Sequence, residues 1–142
     1  RGYTGGMNPK QLFQVFSGEE QAALQKEAEQ IYDPAVVRAS ARKWQGYSPA
    51  ERQRIGAEGN AIYADLVAVT PLGPASAQAQ ACVERWRRHM DYFWTPNPEQ
   101  LLGLAEGYHN DPRFRANFDR LDAGLTDFLR QAVAIYVKNL PE

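Results

Sequence analysis

Two histidines, His89 and His109, and one cysteine, Cys82, are the side chains of this sequence most often recruited for metal or nucleophilic chemistry. Neither histidine stands in an H-E-x-x-H or E-x-x-H context, the spacing that puts two metal ligands on one helical face. A single axial histidine is enough for haem, so a haem-binding, globin-like reading through His89 or His109 stays open. The other reading makes each histidine a polar or partly buried packing residue. Cys82 lies beside the apolar stripe of its helix and reads as a small buried hydrophobe ahead of a nucleophile. No G-x-S-x-G, glycine-rich phosphate loop or nucleophile–histidine pair at a recognisable spacing occurs. The carboxylates Glu19 and Glu20, and Glu27 with Glu29, have the pattern of a solvated helix face. In ERWRRH (residues 84–89), Arg85 and Arg88 share one side and Trp86 points elsewhere, again a solvated face before a phosphate site. Nothing in these residues argues for an enzyme.

The aromatic residues are more informative. In HMDYFWTPNPEQLLGL (residues 89–104), Tyr92, Phe93 and Trp94 are adjacent. At about 100° per residue, three consecutive helical positions cover roughly 200° of surface, wider than one core-facing stripe. Phe93 continues the stripe of Trp86 and Met90 and is expected in the core. Tyr92 and Trp94 are surplus: they pack on a second layer, lie exposed, or line a cleft. Aromatic walls with a few polar tips are the usual form of a small-molecule site.

The elements that carry these residues are helices punctuated by prolines. Five of the nine prolines follow a capping residue: Asn8-Pro9, Asp33-Pro34, Ser48-Pro49, Asn97-Pro98 and Asp111-Pro112. The polar side chain accepts from an orphan backbone N–H, and proline fits the first helical position because its missing N–H would be unpaired there. Ser17 with Glu20, Ser48 with Glu51 and Asn97 with Gln100 add capping boxes. Between these starts, apolar residues recur at helical spacing: Ile55, Gly59, Ile62, Leu66 and Val69; Ala79, Val83, Trp86, Met90 and Phe93; Leu125, Phe128, Leu129, Ala132 and Tyr136. The pattern predicts an all-α domain of about seven helices, near 9–16, 18–32, 34–46, 49–69, 76–94, 98–109 and 112–139, the last broken near Asp122–Gly124.

The helices between residues 17 and 46 carry few large apolar groups: Leu24, Ile31, Tyr32, Val36, Val37 and Trp44. At about 25 cal/mol per Å2 of apolar area, such stripes barely offset the cost of ordering their chain. They are the candidate mobile part. TPLGPAS (residues 70–76) reads as a turn between helices.

The 142 residues make one ordinary domain, 44% hydrophobic and 23% charged. A formal net charge of −1 gives no electrostatic case for nucleic acid or an anionic membrane. The single cysteine fits a reducing cytoplasm. No apolar run reaches bilayer length and no signal peptide is visible. The start at Arg1 reads as that of a fragment or mature piece.

YHNDPRFRANFDRLDAGLTDFLRQAV (residues 108–133) resembles the C-terminal signature of the TipAS antibiotic-recognition domain: a tyrosine, a spaced Asp-Pro-Arg-Phe and a final amphipathic helix. HMDYFWTPNPEQLLGLAEGY is similar to the segment before it, an aromatic pair leading through a proline turn into a helix. LFQVFSGEEQAALQKEAEQIYDPAVVRASARKWQGYSPAERQRI follows the same order of features, so the likeness runs from about Lys10 onward. The resemblance implies a globin-like helical domain without haem or other cofactor, found at the C-terminal end of MerR-type transcription activators. Residues 1–9 would be the remains of a linker, 10–47 lid helices and 48–142 the helical core. A thiopeptide or other bulky hydrophobic molecule would bind in a cleft under the lid. Binding would promote transcription of resistance genes or sequester the drug. DNA would be read only by an upstream region absent from this chain, in a cytoplasmic, homodimeric full-length protein. The expected ligand contacts are Trp44 and Tyr47 from the lid, with Trp86, His89, Met90, Tyr92, Phe93, Trp94, Asn97 and Tyr108 from the cleft. The thiopeptide-binding prototype has a reactive cysteine just after the proline of the aromatic-proline turn. Asn97 stands at that position here, which predicts reversible, non-covalent binding. The remaining alternative is a protein-interaction module that uses an exposed aromatic surface.

Overall fold

A computed structural model describes residues 33–141 together with Gln30. Six α-helices follow one another among the described residues: α1 (Pro34–Gln45), α2 (Pro49–Val69), α3 (Ala77–Met90), α4 (Pro98–Asn110), α5 (Pro112–Asp119) and α6 (Leu125–Lys138), with a 3-10 turn at Thr70–Leu72. No strand occurs among the described residues. The helix expected near 9–16 lies outside them, as does the one near 18–32 apart from Gln30.

The helix starts obey the capping logic. Asp33, Ser48, Asn97 and Asp111 each accept from a backbone N–H of the turn they begin, with proline at the first helical position. Of the three expected boxes, Ser17 with Glu20 lies outside the described residues and the other two are closed: Ser48 N–H donates to Glu51 at 2.8 Å and Asn97 N–H to Gln100 at 2.9 Å. The expected 112–139 segment is two helices. Gly124 opens α6 at φ 98°, a left-handed conformation that only glycine adopts without strain.

The core lies between α2, α3, α4 and α6. Leu66, Val83, Leu125, Ala132 and Val133 are 0% exposed and Ile62, Leu101 and Leu129 1%. Trp86, also 1% exposed, fills its centre, and its indole N–H donates to the Tyr63 hydroxyl at 3.1 Å. Burial pushes the Tyr63 phenol far above its ordinary value, so it stays neutral and serves as the acceptor. Tyr63 meets Phe118 edge-on at 5.0 Å, and Tyr108 packs between Trp86, Phe114 and Phe118. Cys82 is 5% exposed, and burial raises its thiol, in line with a packing role.

The expected helix over 76–94 needs correction. α3 stops at Met90, and residues 91–93 form a tight turn, Phe93 N–H and Trp94 N–H both reaching the Met90 carbonyl at 2.8 and 3.0 Å. Pro96 bars any continuation of the helix past Thr95. A helix through this region would pair the Tyr92 carbonyl with the N–H of residue 96, which proline lacks, and would hold Thr95 in a conformation that a following proline disfavours. Consequently Phe93 does not continue the Trp86–Met90 stripe. It leaves the core and faces α1.

Candidate ligand-binding site

α1 has no fully buried residue. Its position depends on contacts at its C-terminal end. Trp44 lies against Phe93 with ring centroids 5.5 Å apart, and Tyr47 meets Tyr92 edge-on at 6.3 Å. The Tyr47 hydroxyl donates to the Tyr92 carbonyl at 2.8 Å, and Lys43 Nζ donates to the Asp91 carbonyl at 2.6 Å. Arg52 of α2 completes the junction. It donates to the Trp44 and Gln45 carbonyls at 3.1 and 3.0 Å, and its guanidinium lies 5.8 Å from the centre of the Trp44 ring. The Trp44 carbonyl also accepts from the Tyr47 N–H at 3.1 Å, and the cation over the indole adds attraction.

The 91–94 turn is also fastened from below. His89 is 2% exposed, and its Nε2 lies 2.8 Å from the Ile55 carbonyl. A carbonyl only accepts, so Nε2 carries the proton. The imidazole meets Tyr92 and Phe93 edge-on at 5.5 and 5.8 Å. Tyr92 donates its hydroxyl to Glu58 at 3.1 Å, and that bond to a carboxylate holds the phenol above its ordinary value. The Thr95 hydroxyl closes the turn onto Asp91 at 3.0 Å.

Beyond this junction, α1 and α4 separate around a cleft of about 210 Å3, lined by Asp33, Val36, Val37, Ser40, Trp94, Gln100 and Leu104. Its walls are mainly apolar. Asp33 Oδ1 accepts from Ala35 N–H at 2.9 Å, and Gln100 Oε1 accepts from Asn97 N–H at 2.9 Å, so both side chains are partly engaged in capping.

The structure therefore sorts the ten residues singled out from sequence. Trp94 alone among them lines this cleft. Trp44, Tyr47, Tyr92 and Phe93 form the α1 junction, each half-buried. Trp86 and Met90 lie inside the core, His89 is buried beneath the turn, and Tyr108 is half-buried against the core. Asn97 is exposed and acts as the cap of α4. Asp33, Val36, Val37, Ser40, Gln100 and Leu104 were not singled out as contacts. Val36, Val37 and Ser40 follow Asp33 at three-, four- and seven-residue steps on one face of α1, a helical pattern that was available for reading. For the haem reading, His89 Nε2 is engaged by the Ile55 carbonyl, and His109 Nδ1 lies 3.1 Å from the Thr126 hydroxyl. Among the described residues no group of three His, Cys, Asp or Glu is placed to hold a metal ion, and no helix is long and apolar enough to cross a membrane.

The described residues thus form a helical domain with a mainly apolar cleft, lined by Trp94, between α1 and α4. The chain belongs to the TipAS antibiotic-recognition domain family, matched over residues 24–136. The HTH-type transcriptional activator mta of Bacillus subtilis is 30% identical over 135 residues, 92% of this chain and 52% of that protein. The HTH-type transcriptional regulator SkgA of Caulobacter vibrioides is 26% identical over 139 residues, 93% of this chain and 54% of that protein. The chain thus spans about half the length of these curated relatives. Among solved structures, TipAS in complex with nosiheptide, from a thiopeptide antibiotic multidrug resistance system of Streptomyces lividans, has the same fold. Its TM-score is 0.79 at 23% identity, covering 94% of this chain and 97% of that one.

Proposed function

We propose that this chain is the ligand-sensing domain of a MerR-type transcription regulator and not an enzyme. It binds a bulky, hydrophobic, thiopeptide-like antibiotic in the α1–α4 cleft, and binding activates resistance genes or sequesters the drug. The observation that carries the reading is the Trp94-walled cleft beneath α1 in a chain of this family. DNA is read by an upstream region, in a cytoplasmic protein that acts as a homodimer.

The present cleft of about 210 Å3 is smaller than the ~300–1,000 Å3 that holds a drug-sized molecule. A bulky ligand therefore swings the first turns of α1 outward while its C-terminal end stays bonded to the 91–94 turn, and residues 10–47 act as a lid over the 48–142 core. The thin seating of α1 supports this, since few buried contacts mean a low cost of local opening. Binding is non-covalent. Cys82 is buried in the core, and Asn97, whose carboxamide is no nucleophile, is occupied as a helix cap.

Titration of tryptophan fluorescence with nosiheptide tests the proposal. The expected result is a saturable change in emission, a negative heat-capacity change in calorimetry, and an unaltered protein mass after incubation. A flat titration with nosiheptide and other bulky antibiotics would sink the sensor reading. A mass increase equal to the ligand would sink its non-covalent part, and a negligible heat-capacity change would sink the lid.

A further inference from the structure

We propose that Tyr47 and Lys43 are positioning residues for ligand binding, which hold Trp94 on the cleft wall through the backbone of the 91–94 turn. The inference rests on reading the α1–α4 cleft as the ligand site. Neither side chain lines that cleft. Both donate into the turn that precedes Trp94, Tyr47 to the Tyr92 carbonyl at 2.8 Å and Lys43 to the Asp91 carbonyl at 2.6 Å.

The Tyr92 carbonyl is orphaned by Pro96, whose ring nitrogen has no proton to offer it. The Tyr47 hydroxyl is thus the donor that lets the chain leave the helix axis at this point. The Trp94 N–H still makes a helix-type bond to the Met90 carbonyl at 3.0 Å, so the departure follows it. Trp94 is then turned towards α4, where it meets the cleft together with Gln100 and Leu104. The neighbouring rings reinforce the same geometry. Tyr47 abuts Tyr92, Trp44 abuts Phe93, and His89 supports both from the core side.

α1 supplies both ends of this arrangement. Its first turns bring Val36, Val37 and Ser40 to one wall of the cleft, while Lys43 and, just beyond its end, Tyr47 grip the turn that bears the opposing Trp94. The distance between the walls is therefore set outside the cleft, by two hydrogen bonds at one end of one helix. Loosening that grip changes the cleft while leaving the core around Trp86 intact, because neither Tyr47 nor Lys43 belongs to the core cluster.

The test compares wild-type protein with Tyr47→Phe, which keeps the ring and removes the hydroxyl, and with Lys43→Met, which keeps the stem and removes the ammonium. All three are labelled with fluorotryptophan, and the resonances are assigned by single Trp→Phe replacements. In ligand-free protein the Trp94 fluorine resonance is expected to shift or broaden in both variants while that of Trp86 stays in place. With nosiheptide as the probe, Kd is expected to rise about five-fold in each variant, the size of one lost hydrogen bond. A merely structural role would lower the melting temperature without moving the Trp94 resonance, and that result overturns the proposal. So would Trp86 and Trp94 moving together, or a shifted Trp94 with unchanged affinity. If wild-type protein fails to bind nosiheptide, the functional reading loses its support, while the ligand-free spectra still decide whether these two side chains set the position of Trp94.

Discussion

Trp86 and Trp94 belong to the same short segment of chain, yet they live in different physical regimes. Trp86 is 1% exposed, surrounded by α2, α4 and α6, and its indole N–H is satisfied by Tyr63. Trp94 is half-buried on a turn, facing a cleft whose far wall is a helix without a single fully buried residue. Apolar area holds the first region together. Ring-to-ring contacts and hydrogen bonds to backbone carbonyls hold the second. A core of the first kind opens only when the protein unfolds, whereas a shell of the second kind opens locally at much lower cost. That difference is what a domain needs if it is to keep its fold while admitting a large molecule.

The strongest way to break the contrast is Trp86→Ala. Removing a fully buried indole is expected to cost about 3–5 kcal/mol in urea-induced unfolding. A loss below about 1 kcal/mol would mean that the core tolerates a gap as the shell does. Trp94→Ala reverses the pattern. We expect nosiheptide affinity to fall about thirty-fold, equivalent to about 2 kcal/mol for an anchoring aromatic, while unfolding changes by less than about 1 kcal/mol. Equal losses in stability and affinity would place Trp94 with the core.

The smallest effect concerns pH and a strap on the outside of the core. The Tyr136 hydroxyl of α6 donates to Glu84 of α3, and Arg88 adds a bond at 2.8 Å. The Tyr136 hydrogen bond, followed by that from Arg88, holds the Glu84 carboxyl below its ordinary value. A depressed carboxylate stabilises the fold above its unfolded pKa, and that contribution disappears as pH falls through the folded value. Wild-type protein should therefore lose stability below the ordinary carboxylate range more steeply than Glu84→Gln. Parallel unfolding curves in acid would show that the strap contributes nothing measurable, as many exposed ion pairs do.

Much of this architecture was legible without coordinates. Asp33-Pro34, Ser48-Pro49, Asn97-Pro98 and Asp111-Pro112 mark helix starts because a cap and a missing N–H are local properties of adjacent residues. Ile55, Ile62, Leu66, Val83, Leu129 and Ala132 read as core because burial on one helical face leaves a periodic trace. Phe93 was misplaced by the same reasoning. Periodicity assumes that the helix continues, whereas α3 ends at Met90. The warning lay in Pro96, which deprives the Tyr92 carbonyl of its helical partner.

The sequence by itself determined the all-helical class, the start of each described helix that opens with a capped proline, and the surplus of aromatics beyond what one stripe can bury. Those are consequences of short-range sterics, hydrogen-bond supply and period. Only the tertiary structure decided which ring goes where. Trp86 entered the core, Phe93 and Tyr92 met α1, and Trp94 came to the cleft with Val36, Val37 and Leu104. That division depends on an orphaned carbonyl finding Tyr47 across 45 residues of chain, a pairing no local pattern encodes.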